Sequence, residues 1–330
     1  MLRGLAPLAA TELRRLTGVQ ALKVTEEALR FRYTGSLSQL LKLRLATIVY
    51  ARMTFEVPRP KALLGDAAFR RLSQFAAAVV AAQPPGSFTG LRFGAAGADS
   101  PVFQRLSEQL SKALKLPFEP ETGDLLLRFR RAAAGWEVLA RLTPRPLSAR
   151  PYRVCNLPGG LNATLAVAAN MLTAPHPADY YLNAMCGSGT LLIERALSAE
   201  AATLVGVDLA RDALVCAEQN AVAAGMAERP KLVLADATRL PYPAGSFNVI
   251  TADPPWGDAV GSHAANSELY PQMLTEFTRV STPDARLLII THELKLFDKV
   301  LAAQSTWHER QRLQVRHGGH HPVVSLLAKA

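Results

Sequence analysis

Cysteine is scarce: Cys155, Cys186 and Cys216 are the only three in 330 residues. Three thiols so widely separated supply neither a disulfide framework nor a paired zinc site, so a reducing compartment and no structural metal are expected. Long apolar runs are missing as well. Stretches such as Phe75 to Ala82 and Leu287 to Ile290 fall far short of the roughly 20 residues that span a bilayer, so no transmembrane helix is expected. After Met1-Leu2-Arg3-Gly4 the chain soon meets Pro7, Thr11, Glu12, Arg14 and Arg15. That leaves no continuous apolar segment of the secretory kind, and a cytoplasmic location is expected. Internal repeats and low-complexity tracts are also lacking.

What is present is a chain 49% hydrophobic and 19% charged, able to bury a sizeable core in two or three domains. The net charge of +10 is unevenly spread. Residues 1–150 hold 23 Lys and Arg against 11 Asp and Glu, or +12, whereas 151–330 hold 14 against 16, or −2. Such asymmetry suggests a front half that meets a polyanion, with a solubilising surface as the plainer alternative.

Pro144, Pro146, Pro151 and Pro158 mark the main linker. Beyond it, strand-like runs over 179–184, 203–208, 231–235 and 247–252 alternate with helical patterns over 188–199 and 211–224. That alternation predicts a parallel α/β sheet. A helix over 267–280, a strand over 286–291, a helix over 294–303 and strands over 307–315 and 322–328 follow. The last two strands, joined by His317-Gly318-Gly319-His320, form an antiparallel hairpin that closes the sheet. With His321, these histidines suit a solvated turn better than a metal site. Upstream, helices are predicted over 7–17, 36–48, 66–82 and 101–114, and strands over 28–33, 53–58, 87–93, 124–130 and 135–142, giving two small α+β units.

Asn183-Ala184-Met185-Cys186-Gly187-Ser188-Gly189-Thr190 follows a predicted strand and enters a helix. Gly187 and Gly189 permit a tight turn and close ligand approach, and the helix start offers unpaired amides and positive potential. A dinucleotide fingerprint would need a third glycine at the position of Leu192. Asp208 ends the next predicted strand, where a carboxylate can accept both hydroxyls of a ribose. Asp236, followed by Ala237, is placed to receive the exocyclic amine of an adenine. Each feature alone is open to a purely structural role. At successive strand ends of one sheet they suit an adenosine without a diphosphate.

Asp253-Pro254-Pro255-Trp256 directly follows the run 247–252. Methyl transfer from a sulfonium to an amine needs an in-line approach, hence an immobilised amine with its lone pair aimed at the methyl carbon. Asp253 can accept one hydrogen bond from such an amine, a carbonyl near Pro254 another, and Trp256 can stack on the base. Asp253 or water can remove the proton after transfer. Gly261-Ser262-His263 and Asn266, ahead of Leu269-Tyr270, suggest a substrate-side loop with His263 or Asn266 as candidate contacts to the RNA backbone, although a satisfied loop histidine is the safer reading of His263. Arg145, Arg150 and Arg153 flank the domain junction and are candidate RNA contacts, with solvated charge an equal account.

These residues resemble the THUMP-domain-containing, Rossmann-fold guanine-N2 methyltransferases, above all the tRNA branch that modifies the acceptor stem. The resemblance covers nearly the whole chain, including Gly135-Trp136-Glu137-Val138 and Pro146-Leu147-Ser148-Ala149-Arg150 of the THUMP region and its linker. It implies an α/β architecture: a ferredoxin-like domain (1–63), a THUMP RNA-binding domain (64–145), a linker (146–160) and a Rossmann-like seven-stranded methyltransferase domain (161–330). It implies S-adenosylmethionine as cofactor, held by Asn183, Cys186, Gly187, Ser188, Gly189, Thr190, Asp208, Asp236, Ala237 and Asp253. Asp253, Pro254, Pro255 and Trp256 would be catalytic, and N2 of a guanosine at tRNA position 6 the target. The implied protein is a monomer that grips tRNA through its basic front half, without membrane or metal. One departure is that the family's usual Asp-Pro is Asn183-Ala184 here, which implies weaker cofactor binding. Ribosomal RNA or DNA adenine-N6 methylation, or noncatalytic RNA binding, are the alternatives.

Overall fold

The computed structural model describes residues 1–226, 228–256, 262–316, 319 and 321–329. The chain forms two compact units, one of Met1–Glu12, Lys23–Arg30 and Ser148–Ala330, the other of Leu13–Leu22 and Phe31–Leu147.

In the first unit we number the strands β1 (Tyr180–Ala184), β2 (Thr203–Asp208), β3 (Lys231–Leu234), β4 (Phe247–Ala252), β5 (Ser281–Thr291), β6 (Trp307–Gln314) and β7 (Val323–Lys329). They form a seven-stranded mixed sheet in the order β6-β7-β5-β4-β1-β2-β3. β7 runs opposite to the other six strands, antiparallel to both β5 and β6. The helices are α1 (Ala163–Leu172), α2 (Thr190–Ser198), α3 (Arg211–Ala223), α4 (His263–Val280) and α5 (Leu294–Ala302). This is the α/β fold that the alternating pattern predicts, with β6 and β7 as the closing antiparallel pair.

Side-chain alternation explains why the strands are so apolar. Leu182, Ala184, Val205, Val207, Ile250, Ala252, Leu287 and Ile289 share one core with Tyr270, Met273 and Phe277 of α4. The intervening Tyr181, Leu204 and Val249 pack with Leu192 on the opposite face. Both faces are covered, as a parallel sheet requires. Strand order reverses between β1 and β4, and such a reversal opens a crevice at the carboxyl ends of the strands.

Two buried polar networks brace this frame. Thr251 Oγ1 donates to the Tyr181 hydroxyl (2.8 Å), which donates to Asn170 Oδ1 (2.9 Å), and Asn170 Nδ2 donates to the Leu191 carbonyl (2.9 Å). That chain ties β4, β1, α1 and α2 together. Immediately ahead of β1, Asp179 accepts from Arg195 and Arg286. Burial pushes the Asp179 carboxyl up, but the His176 N–H and the two guanidinium groups outweigh it and hold the group below the usual carboxylate range.

Several expectations need correction. Cys155 and Cys216 form a disulfide, with 5.4 Å between their Cα atoms, and Cys186 is the buried free thiol. The partners lie 61 residues apart, so nothing local announces the pair. Helix α1 was not expected. Nine of its ten residues are buried, so it carries no amphipathic stripe. Helix α4 starts at His263 rather than 267, because the Ser262 side chain caps it by accepting from Ala265 N–H.

The second unit carries a four-stranded sheet in the order Tyr50–Phe55, Gly135–Arg141, Leu125–Ala132, Leu91–Gly94, with helices Asp66–Ala81 and Pro101–Leu114. Phe93, Phe103 and Phe129 meet edge to face in its core. The helix expected over 36–48 reduces to Leu37–Leu40. Beyond it Leu43, Leu45 and Val49 are all buried, a spacing that one helical face does not offer. Val19–Val24 and Leu29–Tyr33 form a separate two-stranded sheet.

Two checks follow from these braces. Tyr181→Phe strands the buried Asn170 Oδ1 and should lower unfolding free energy by about 1–3 kcal/mol in urea titration; no change would show that the hydroxyl chain is idle. Under denaturing, non-reducing conditions alkylation should label Cys186 alone, and all three cysteines after reduction. Three labels without reduction would refute the pairing.

Candidate active site

The turn after β1 is built to run close to a ligand. Met185, Gly187 and Gly189 adopt left-handed dihedrals, with φ of 56°, 53° and 77°. A Cβ on Gly187 would meet nothing within 4 Å, so this face of the turn is open. A Cβ on Gly189 would come within 3.1 Å of Ala217 Cβ, so that glycine lets α2 pack on α3. Cys186, Ser188 and Thr190 are buried. The Cys186 amide donates to the Val207 carbonyl and its carbonyl accepts from Gly189 N–H, so it shapes the turn from within. Burial, together with the Asp208 charge, raises the Cys186 thiol well above its usual range. Asn220 of α3 fixes the turn from behind by donating to the Ser188 and Cys155 carbonyls.

Asp208 at the end of β2 accepts from Gly187 N–H (2.8 Å) through one oxygen and from Ala210 N–H (2.9 Å) through the other. Strand β2 pairs with β1, so the carboxylate lies beside the glycine turn. Asp236, just past β3, is exposed and accepts from the backbone and hydroxyl of Thr238, while Ala237 behind it is buried. Asn183 is 1% exposed; its Nδ2 donates to the Thr251 and Ala184 carbonyls, and its Oδ1 is buried with no hydrogen-bond partner. An open glycine, two carboxylates at successive strand ends and an unpartnered buried oxygen fit a nucleoside carrying hydroxyl and amino donors.

Residues 253–256 leave β4 at the neighbouring strand end, since Ala252 pairs with Ala184 of β1. The Trp256 indole N–H donates to Asp253 Oδ1 (3.0 Å), and the indole lies 4.1 Å from the His292 ring, centroid to centroid. Pro254 is buried. Burial pushes the Asp253 carboxyl up to about 7, against the smaller opposing effect of the Trp256 hydrogen bond. The turn therefore presents a carboxylate that is costly to ionise, beside carbonyls whose peptides carry no N–H at either proline.

Sequence reasoning misplaced some residues near this turn. Asn266 is buried on α4, with Nδ2 donating to the Pro255 carbonyl (2.8 Å) and to Glu293 Oε1 (3.2 Å), so it is turned inward rather than toward RNA. His263 is exposed and pairs with Glu293. Gly261, His317 and His320 lie outside the described residues. Arg150 is buried against Glu194, correcting its reading as an RNA contact. His292 and Glu293 were missed, because their relation to the turn is across strands. The Thr291-His292-Glu293 run closing β5 was the available signal. Among the described residues no three His, Cys, Asp or Glu stand together as a metal site, and no helix is long and apolar enough to cross a membrane.

Comparison with known proteins now bears on this geometry. Residues 150–323, just over half of the chain, match the family model described as RMKL-like, methyltransferase domain. The chain is 25% identical over 274 residues to a tRNA (guanine(6)-N2)-methyltransferase of Methanocaldococcus jannaschii, covering 71% of this chain and 70% of that protein. It is 31% identical over 185 residues to a tRNA (guanine(6)-N(2))-methyltransferase of Bos taurus, covering 52% of this chain but only 37% of the bovine protein. Among solved structures, TrmN from Thermus thermophilus superposes with a TM-score of 0.72 at 26% identity, covering 100% of this chain and 98% of that one.

The raised Asp253 carboxyl sets a stability test. The folded state holds this proton more tightly than the unfolded chain, so ionisation costs stability progressively from about pH 4 to about pH 7 and the loss persists above. Asp253→Asn is exempt from that loss. Its stability relative to the parent should be greater at pH 8 than at pH 5, by urea unfolding at both; an equal difference would mean that the carboxyl is not raised.

Proposed function

The chain belongs to the RMKL-like methyltransferase-domain family, and from that premise we propose that it methylates the exocyclic N2 of a guanosine in tRNA, at position 6 of the acceptor stem. The observation that carries the reading is the Asp253-Pro254-Pro255-Trp256 turn at the end of β4, one strand away from the open glycine turn of β1. The relatives named for tRNA guanine-N2 methylation support the substrate class.

S-adenosylmethionine fits the cofactor side, and when bound it supplies an electrophilic methyl group. Asp208 would accept from the ribose hydroxyls, Asp236 with Ala237 would receive the adenine edge, and the backbone from Cys186 to Thr190 would lie against the ligand. Asn183 Oδ1, buried and unpartnered, suits an ammonium donor. On the substrate side, Asp253 and the Pro254 carbonyl accept the two amino hydrogens of guanine and hold its nitrogen lone pair toward the methyl carbon. Trp256 stacks on the base by the face turned away from His292. Asp253 then takes the proton that the methylated nitrogen releases, a task suited to a carboxylate that titrates near 7. The basic front half, at +12, supports tRNA binding through its phosphates. In the proposed organisation, 1–63 and the THUMP-like segment 64–145 serve that binding, 146–160 is the linker, 161–330 is catalytic, and the protein acts as a cytoplasmic monomer.

The test is transfer of labelled methyl from S-adenosylmethionine to unmodified tRNA, with nucleoside analysis of the product. N2-methylguanosine is the expected product, lost in Asp253→Asn and Asp253→Ala. With Asp253 ionised as acceptor, kcat/KM should rise about tenfold per pH unit below about 7 and level above it. N6-methyladenine in duplex DNA, or full activity in Asp253→Asn, would sink the proposal.

A further inference from the structure

Asn266 plays no part in the chemistry above, yet its side chain touches the catalytic turn. Prolines at 254 and 255 remove two backbone donors, so the turn cannot brace itself through those amides. Its last proline carbonyl is fixed from outside, by Asn266 Nδ2 at 2.8 Å. The second Nδ2 proton goes to Glu293 Oε1 at 3.2 Å. A carbonyl and a carboxylate are both acceptors, so the Asn266 amide must present its NH2 to them, and its orientation is set by chemistry.

Each partner is held in turn. The first turn of α4 is fixed by the Ser262 cap, with Asn266 N–H donating to the Ser262 carbonyl. Glu293 N–H donates to Thr291 Oγ1 at the end of β5, and that hydroxyl meets the Tyr270 hydroxyl of α4 at 2.7 Å. His263 pairs with the same Glu293 oxygen that receives Asn266. One residue earlier, the His292 ring lies against Trp256. The end of β5 thus backs the catalytic turn at both Pro255 and Trp256.

We infer that Asn266, oriented by Glu293, is a positioning residue that locks the Pro255 carbonyl and so fixes Trp256 and the Pro254 carbonyl for the incoming base. With Pro255 engaged by Asn266, the Pro254 carbonyl is the one left to pair with Asp253 as the second acceptor. This inference rests on the proposed function for its kinetic consequence but not for its structural one.

The variant pair Asn266→Asp and Asn266→Asp/Glu293→Gln separates positioning from folding. The single change sets a carboxylate against a carbonyl and a second carboxylate, and should lower both Tm and kcat. The double change restores a donor and acceptor between the two side chains but leaves Pro255 without its donor. Tm should recover, while kcat stays about a hundredfold down with KM for S-adenosylmethionine unchanged. The Trp256 indole N–H signal, identified in 15N spectra by its loss in Trp256→Phe, should remain shifted from its wild-type position. Recovery of kcat and of the indole signal along with Tm would overturn the inference. If the wild-type chain transfers no methyl to tRNA, the proposed function fails, and the indole signal alone still decides the role of Asn266. Should the double variant not fold, Asn266→Ala removes the same donor without adding charge and must show the same displaced signal; an unmoved signal refutes the lock.

Discussion

Asn183 of β1 sits directly opposite Thr251 of β4, and Ala184 opposite Ala252, in a parallel register that decides where everything else emerges. Because the strands run together, the glycine turn and the Asp253 turn leave the sheet side by side. A slip of one residue would turn Leu182 and Ile250 out of their common core, so burial enforces the register. The Tyr181 to Thr251 hydroxyl bond adds a second lock across the same pair of strands. Functional geometry here is a by-product of apolar alternation, with one polar chain pinning it.

The treatment of buried acids shows which carboxylates are structural. Asp179 is met by Arg195 and Arg286, Glu194 by Arg150 and Tyr152, and Glu137 by Arg52 and Arg130. Asp253 receives a neutral indole N–H and, among the described residues, no cation. Desolvating a carboxylate costs several kcal/mol, whereas one hydrogen bond to a charged group contributes about 1.5–3 kcal/mol. Burial therefore wins at Asp253 and loses at Asp179. A guanidinium beside Asp253 would hold it ionised and weaken it as a proton acceptor, so its absence leaves the group responsive near neutral pH.

Much of this was legible in the chain because short-range signals carried it. Strands β1, β2 and β4 announced themselves as apolar runs, and Asp208, Asp236 and Asp253 stood out as candidates by their positions at or just beyond strand ends. Long-range relations were not legible. Helix α1 escaped because Ala163 to Ala169 is buried all round, with Thr164 its one polar residue, which erases the helical period. Asn266 was visible as a polar residue near the turn, but its inward orientation depends on Glu293, which arrives 27 residues later on another strand end. The pairing of Tyr50–Phe55 with Gly135–Arg141 spans more than 80 residues and has no local signature.

An amide rather than an acid at Asn183 makes sense within this local electrostatics. The side chain is buried, and the atoms that its Nδ2 faces are the Thr251 and Ala184 carbonyls, at 3.3 and 3.4 Å. An aspartate in the same pose would point a second desolvated anion at two acceptors, on the strand beside the one that ends at Asp253, which itself has no cationic partner among the described residues. It would take up a proton or turn away, since burial and carbonyl dipoles both disfavour the charge. Asn183 instead satisfies those carbonyls with its amide and keeps Oδ1 as a neutral acceptor. Attraction for a cationic ligand group is weaker, yet the acceptor survives and the sheet end carries no extra buried charge. Asn183 therefore keeps a neutral acceptor at this strand end without adding a second buried acid near Asp253.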